Sequence, residues 1–212
     1  MKRIFISACI LLASFIVFAQ TTTFFEGKIV YQNTFKSKNP QMKDEQWTAM
    51  FGSTQEFYAK GNNYKSVSNG SLFLWQIYSA KENKIYSKMS NSPSVYWNDA
   101  AVNTDTILKT ELKKATTVIL GYTCDELTLT CKSGIQKYYY NSKLGVDPKL
   151  FSLHKYGNFA YYLAKSKAWP LKSYIETDQF TITSTATEVK PMVVDVNIFK
   201  LPAGVKIEKS PY

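Results

Sequence analysis

The feature that most constrains this chain is a recurring pattern of strand-length runs, dense in aromatic and β-branched residues and separated by brief polar turns. The clearest is LFLWQIYSAKENKIYSKM, Leu72 to Met89. Trp75, Ile77 and Tyr78 lead into the turn Ala80-Lys81-Glu82-Asn83, and Ile85-Tyr86 lead out. An extended run leaves its backbone groups unpaired, and two runs joined by so short a turn satisfy them by pairing antiparallel. Glu56 to Ser68 reads as a second hairpin around Gly61-Asn62-Asn63. Ile119 to Asn141 reads as a third, turning at Lys132-Ser133-Gly134. Phe24 to Phe35, Ser94 to Trp97 and a run near Lys109 to Leu120 add further strands, and the tail alternates at Phe180 and Ile182, over Val193 to Ile198 and in LPAGVKIEK. Lys36 to Asp44 reads as a loop, and Gln46 to Phe51 is ambiguous.

One stretch breaks this period. Asp147-Pro148 is a good helix start, because Asp caps free N–H groups and Pro tolerates the first helical position. From there to Trp169, Leu150, Phe151, Leu153, Phe159, Tyr162 and Leu163 recur at helical spacing. Gly157-Asn158 divides the stretch into two short helices, and Pro170 ends it. Many antiparallel strands with one late helical insertion define an α+β domain in which the helices cover an apolar sheet face.

The first residues, MKRIFISACILLASFIVFAQ, have a basic start, an apolar run from Ile4 to Phe18, and small residues at Val17 and Ala19. That is the layout of a signal peptide over residues 1–19. It leaves residues 20–212 as one exported domain, periplasmic or associated with the outer envelope. Ile6-Ser7-Ala8-Cys9 has the outline of a lipoprotein box, but only Ile4 and Phe5 would precede it as apolar core, so lipidation is set aside. No later stretch is apolar enough to span a bilayer.

The formal charge falls from +10 to +8 once Lys2 and Arg3 leave with that leader. Arg3 is the only arginine, and the lysines are scattered without a basic run. Nucleic-acid recognition favours the guanidinium fork, so a solvated lysine-rich surface is the expectation and nucleic acid is not expected as a partner.

Cys124 and Cys131 sit in the run CDELTLTC. Strand parity puts Cys131 with Leu127 and Leu129, and Cys124 on the other face. Seven extended steps separate them by roughly 23 Å at ~3.3 Å per residue, beyond the ~7 Å a disulfide spans. Two cysteines in an exported chain ordinarily pair; strand geometry outweighs that here. Cys131 is expected in the core and Cys124 packed or free. The single histidine, His154, lies in the apolar segment LFSLHKYG, and no CxxC spacing exists. Neither a metal site nor a nucleophile–base pair is expected. Asp44-Glu45 and Asp125-Glu126 are adjacent carboxylates, which point opposite ways on a strand and make poor acid–base pairs.

Three motifs together resemble the LolA/LolB-like half-barrel superfamily of envelope lipoprotein carriers, and exported relatives of unknown function of the GLPGLI type. They are Phe25-x-Gly27-x-Ile29-x-Tyr31; Ile119-Leu120-Gly121-Tyr122-x-Cys124 with its hairpin into Tyr138-Tyr139-Tyr140; and Val189…Val194…Phe199-x-Leu201-Pro202-x-Gly204-Val205-Lys206. The resemblance implies a strongly curved antiparallel sheet, a half-barrel, with helices on its concave face and an apolar cavity between. The carriers' gating arginine has no counterpart after Arg3, and no GLPGLI tract follows Pro148, so lipoprotein transport itself is not expected.

Two functions follow as expectations. The first is a non-catalytic binding module holding an apolar or amphipathic, lipid-like ligand between sheet and helices. Trp75, Tyr78, Tyr86, Trp97, Tyr138, Tyr140, Phe151, Tyr162 and Trp169 are its candidate lining residues. The second is a structural or protein-interaction module of the envelope with a filled core. An apolar void of a few hundred Å³ beneath the helical segment would mark the first; a solid core would mark the second.

Overall fold

The computed structural model describes residues 24–211. The expected leader, 1–19, lies outside the described residues. In chain order the elements are β1 (Gly27–Ser37), α1 (Asp44–Phe51), β2 (Thr54–Lys60), β3 (Asn63–Ser68), β4 (Phe73–Ser79), β5 (Lys84–Met89) and β6 (Val95–Asp99). There follow β7 (Ile107–Ile119), β8 (Tyr122–Cys131), β9 (Gly134–Gly145), α2 (Phe159–Ser166), β10 (Ala168–Glu176), β11 (Phe180–Pro191) and β12 (Ile207–Lys209). One-turn 3-10 helices stand at Pro148–Phe151, Tyr156–Asn158 and Val196–Phe199.

All twelve strands form one sheet in the order β12-β6-β5-β4-β3-β2-β1-β11-β10-β9-β8-β7. The hairpins expected around Gly61-Asn62-Asn63, Ala80–Asn83 and Lys132-Ser133-Gly134 are present, with Asn63 and Gly134 already in the return strands. β7 and β8 are joined by the two residues Leu120 and Gly121, with φ of 50° and 78°. Positive φ at both central residues defines the turn that matches strand twist.

The sheet is mixed, not wholly antiparallel as expected, because β12 runs parallel to β6. The cause is the route of the tail. After β11 the chain makes its 3-10 turn at Val196–Phe199 against β3 and β4. Leu201 and Val205 then pack on Trp75, Ile77, Tyr86, Val95 and Trp97. The tail thus crosses a sheet face before pairing, and enters beside β6 in the same direction. Val193 to Ile198, expected to alternate as a strand, is part of that connector and carries the 3-10 turn instead.

The sheet curls. Tyr64 of β3 and Tyr78 of β4 share one contiguous core with Leu127, Leu129 and Cys131 of β8. Those strands lie up to seven places apart in the sheet order, which in a flat sheet would be roughly 34 Å at ~4.8 Å per strand. Only a curled sheet brings them onto the same short helical segment.

That segment begins as expected. Asp147 Oδ1 accepts the Lys149 N–H at 2.9 Å, and Pro148 occupies the first helical position. Gly157 and Asn158, with φ of 60° and 64°, turn the chain into α2. Phe151, Tyr162 and Leu163 are fully buried. Each buried large side chain contributes about 1.5–3 kcal/mol from surface removed from water. The helix ends sooner than expected: Lys167 takes φ 51° and β10 already begins at Ala168, so Trp169 and Pro170 are strand residues. Pro170 cannot donate to the ladder, and the β9–β10 register shifts on either side of it.

Helix α1 is absent from the sequence expectation, which left its residues partly as loop and partly ambiguous. Asp44 and Glu45 stand in its first turn rather than on a strand. The Ser37 N–H and ion-pairing with Lys36 hold the Asp44 carboxyl below the usual carboxylate range. Trp47, Phe51, Phe35 and Phe180 pack together around the helix. Among the described residues no helix is long and apolar enough to cross a membrane.

Candidate functional site

Antiparallel partners share a face of the sheet, so register assigns each wall residue to a side. On the inner face, Ala59, Tyr64, Tyr78, Ile85 and Asn98 form one row across β2–β6. Phe57, Ser66, Gln76, Ser87 and Tyr96 form the next row. The outer face carries Lys65, Ile77, Tyr86 and Trp97 in one row, and Val67 and Trp75 beside it.

This divides the residues expected to line one cavity. Tyr78, Tyr140, Phe151, Tyr162 and Trp169 belong to the inner core, with Tyr138 packed against it. Trp75, Tyr86 and Trp97 lie on the opposite face, in the separate cluster beneath Leu201 and Val205. The expectation that all of them surround one ligand is therefore corrected. Ile77 and Tyr78 are neighbours in one strand, and a period of two sends them to opposite faces.

The space expected between sheet and helices is filled. Phe151 meets Tyr78, Phe159 and Trp169 with ring centroids 5.4–5.9 Å apart. Tyr162 stacks on Tyr138 at 4.1 Å, and its hydroxyl donates to the Ala168 carbonyl at 2.7 Å. His154 lies in the same packing, its ring centroid 4.4 Å from those of Tyr78 and Phe159. Its Nε2 is 2.8 Å from the Tyr64 hydroxyl. Burial lowers the His154 pKa to about 4, so the ring is neutral near neutral pH. Burial also pushes the Tyr64 and Tyr138 phenols well above their ordinary range.

Open volume lies beside this plug, where the inner face of β4–β6 continues past it. A hollow of about 520 Å³ is walled by Gln76, Ser87, Tyr96 and Asn98 of the strands, with Leu72, Phe73 and Met89 beside the polar Asn91 and Ser92, and Tyr156 on the plug side. Gln76 donates to Ser87 Oγ at 3.2 Å. The residue after it on the polar row, Ser66, is bound by the Gln55 side-chain amide. The lining contains no charged side chain. Tyr156, 44% exposed, also borders two adjoining hollows. One, of about 260 Å³, is lined by Trp97, Val102 and Lys209. The Trp97 ring there lies 4.1 Å from the Lys84 ammonium. The sequence reading missed Gln76, Ser87, Tyr96 and Asn98. Gln76 and Ser87 stand two residues from Tyr78 and Ile85, and that parity was the signal available.

Cys124 and Cys131 are unbridged and buried, as expected for Cys131 in the core and for a packed, free Cys124. Cys124 departs from its parity, being fully buried in the same contiguous core as Leu127 and Cys131. It lies where β7 is irregular: the register shifts between Lys113 and Thr117, and Ala115 takes φ 51°. Such a bulge increases local twist, so the two faces are no longer separated as in a flat strand. Desolvation raises the Cys124 thiol, and raises Cys131 to about 11. Asp125 pairs with Lys114 at 2.7 Å, while Glu126 accepts the Thr128 hydroxyl at 3.0 Å. The adjacent carboxylates have separate partners.

No family model matches this chain, and no curated protein matches it. Among solved structures it is similar to an uncharacterized conserved protein from Thermus thermophilus, with 8% sequence identity and a TM-score of 0.44 over 85% of this chain and 90% of that one. A likeness at that level says nothing of function.

Proposed function

We propose that this protein is a non-catalytic binding module of the cell envelope that takes a neutral amphipathic ligand into the hollow beside the plug. In this reading the curled sheet is a half-barrel of the LolA/LolB-like kind, exported by the leader at 1–19. The observation that carries the proposal is the hollow itself. Its volume, about 520 Å³, is that of a small-molecule site, and its lining mixes the apolar Leu72, Phe73 and Met89 with uncharged polar groups, among them Gln76, Ser87, Asn91, Ser92 and Asn98. A ligand with an apolar chain and an uncharged polar head meets both kinds of surface there. The uncharged lining disfavours an ionic head, which would lose hydration without gaining a counter-charge.

The test uses an alkyl glucoside as probe, with the alkyl carboxylate and alkylammonium of equal chain length as comparisons, measured by calorimetry. The glucoside is expected to bind most tightly. Ser87→Phe, which fills the hollow, should remove that binding while the protein stays folded. Equal binding of the probe by this variant would end the proposal.

A second reading, an interaction module with a filled core, is supported by the solid ring packing of the plug residues Phe151 and Tyr162 against Trp169 and Tyr140 of the strands. It requires no ligand in the hollow, so absent binding of all three probes would favour it.

A further inference from the structure

β7 is an end strand of the sheet, thirteen residues long, and among the described residues only β8 pairs with it. Its free edge offers a row of backbone donors and acceptors. It also carries exposed apolar side chains: Leu108 is 63% exposed and Leu112 52%. On a sheet edge these two properties together favour another strand.

The order of residues specifies which strand. When two copies of β7 meet antiparallel about a twofold axis, direct partners must share a face, so the axis passes through a residue. With the axis at Thr110, Lys109 lies opposite Glu111 of the second copy, and Glu111 opposite Lys109. Leu108 lies opposite Leu112, and Leu112 opposite Leu108. Lys109–Glu111 is charge-complementary and Leu108–Leu112 apolar, Thr110 meets itself on the axis, and the outermost pair sets Ile107 against Lys113. The neighbouring registers are worse. An axis at Glu111 sets Glu111 against itself and Lys109 against Lys113. An axis at Lys109 sets Lys109 against itself. An axis at Leu112 also sets Lys113 against Glu111, but it draws Lys114 and Ala115, within the wider of the two β7 irregularities, into the new ladder; the Thr110 register meets only the one-residue irregularity at Leu108. Tyr161 of α2, 37% exposed, places its hydroxyl 3.0 Å from Thr110 Oγ1. The axis thus also brings two tyrosines into reach of one another.

We infer that this face pairs with a second copy of the same chain, β7 against β7 with Thr110 on the twofold axis, joining two sheets edge to edge. Within one copy Lys109 and Glu111 already pair at 3.1 Å on an exposed face, so dimerisation exchanges an internal pair for crossed ones.

Charge exchange tests the register. The purified protein should be a dimer by native mass spectrometry. Lys109→Glu sets Glu against Glu at both crossed positions, and Glu111→Lys sets Lys against Lys. Each variant should associate roughly tenfold or more weakly. Mixing the two variants should restore a dimer containing one copy of each, because every crossed pair is then opposite in sign. The double variant, with both exchanges, should dimerise alone. As a second measurement, Thr110→Cys should cross-link on oxidation, since residues on the axis sit about 4.5–5.5 Å apart in an antiparallel ladder. Leu112→Cys should not cross-link. A monomeric wild type, unchanged association in the single variants, homodimers only in the mixture, or no Thr110→Cys cross-link would each overturn the inference.

Discussion

The Tyr64 hydroxyl and His154 Nε2 stand 2.8 Å apart with both residues buried, one on the strand wall and one on the plug. The Tyr64 and His154 rings also stack at 5.8 Å. This contact fastens the helical segment to β3 and has a consequence for acid stability. A histidine held neutral in the fold, with a pKa of about 4 against an ordinary 6.5, takes up its proton first in the unfolded chain. Above pH 6.5 neither state binds the proton and the group is indifferent. As pH falls from 6.5 to 4 the unfolded state is favoured progressively, and below 4 the effect levels off. The loss is about 3 kcal/mol at 1.36 kcal/mol per unit. Urea unfolding at a series of pH values should show this fall in the wild type. His154→Gln, which does not titrate, should lack that part of the slope; parallel curves for the two proteins would show that His154 is not buried neutral.

Phe151 is the centre of the plug, fully buried against Tyr78, Phe159 and Trp169. Phe151→Ala should cost about 3–5 kcal/mol, since the surrounding rings are held by the strands and cannot collapse into the space. Leu153, two residues on, is 62% exposed, and Leu153→Ala should cost less than about 0.5 kcal/mol. Both are read by denaturant midpoint. Similar costs at the two positions would mean the segment is not seated on the sheet as described.

The hairpins were legible because turn chemistry is local. Gly61 takes φ 56° and Asn83 φ 49°, and both residue types tolerate the left-handed region. The capping of Pro148 by Asp147 was legible for the same reason. Helix α1 was harder: its eight residues include Trp47, Thr48 and Phe51, weak helix formers that are held by packing on Phe35 and Phe180. The partition of aromatic residues was written in strand parity, since Trp75 and Tyr78 are an odd number of steps apart. The open hollow was not written locally at all. It depends on how far the plug, with Tyr156 at its edge, reaches along a wall built by β4–β6. The parallel pairing of β12 with β6 depends likewise on a connector crossing the sheet.

Cys124 and Cys131 are buried thiols with raised pKa values, Cys131 at about 11. The thiolate is the reactive form, so both should resist alkylation in the native protein at pH 8 and react promptly after denaturation. Peptide mapping with iodoacetamide before and after guanidinium gives the readout. Recovery of a Cys124–Cys131 disulfide from protein purified under oxidising conditions would contradict the strand arrangement of β8.

The turn between β7 and β8 offers a stabilising change. Leu120 holds φ 50° at the first central position of a two-residue hairpin, where a side chain branching beyond Cβ crowds the backbone. The left-handed conformation costs an ordinary residue about 1–2 kcal/mol, and asparagine tolerates it far better. Leu120 is 48% exposed, so replacing it surrenders little burial. Leu120→Asn should therefore raise stability by about 1 kcal/mol, giving the Asn-Gly sequence that this turn favours. Leu120→Ala keeps the backbone penalty and should not gain. Thermal unfolding of the three proteins separates the causes. A gain in the asparagine variant alone traces to backbone strain, whereas equal gains would trace to removal of an exposed apolar side chain.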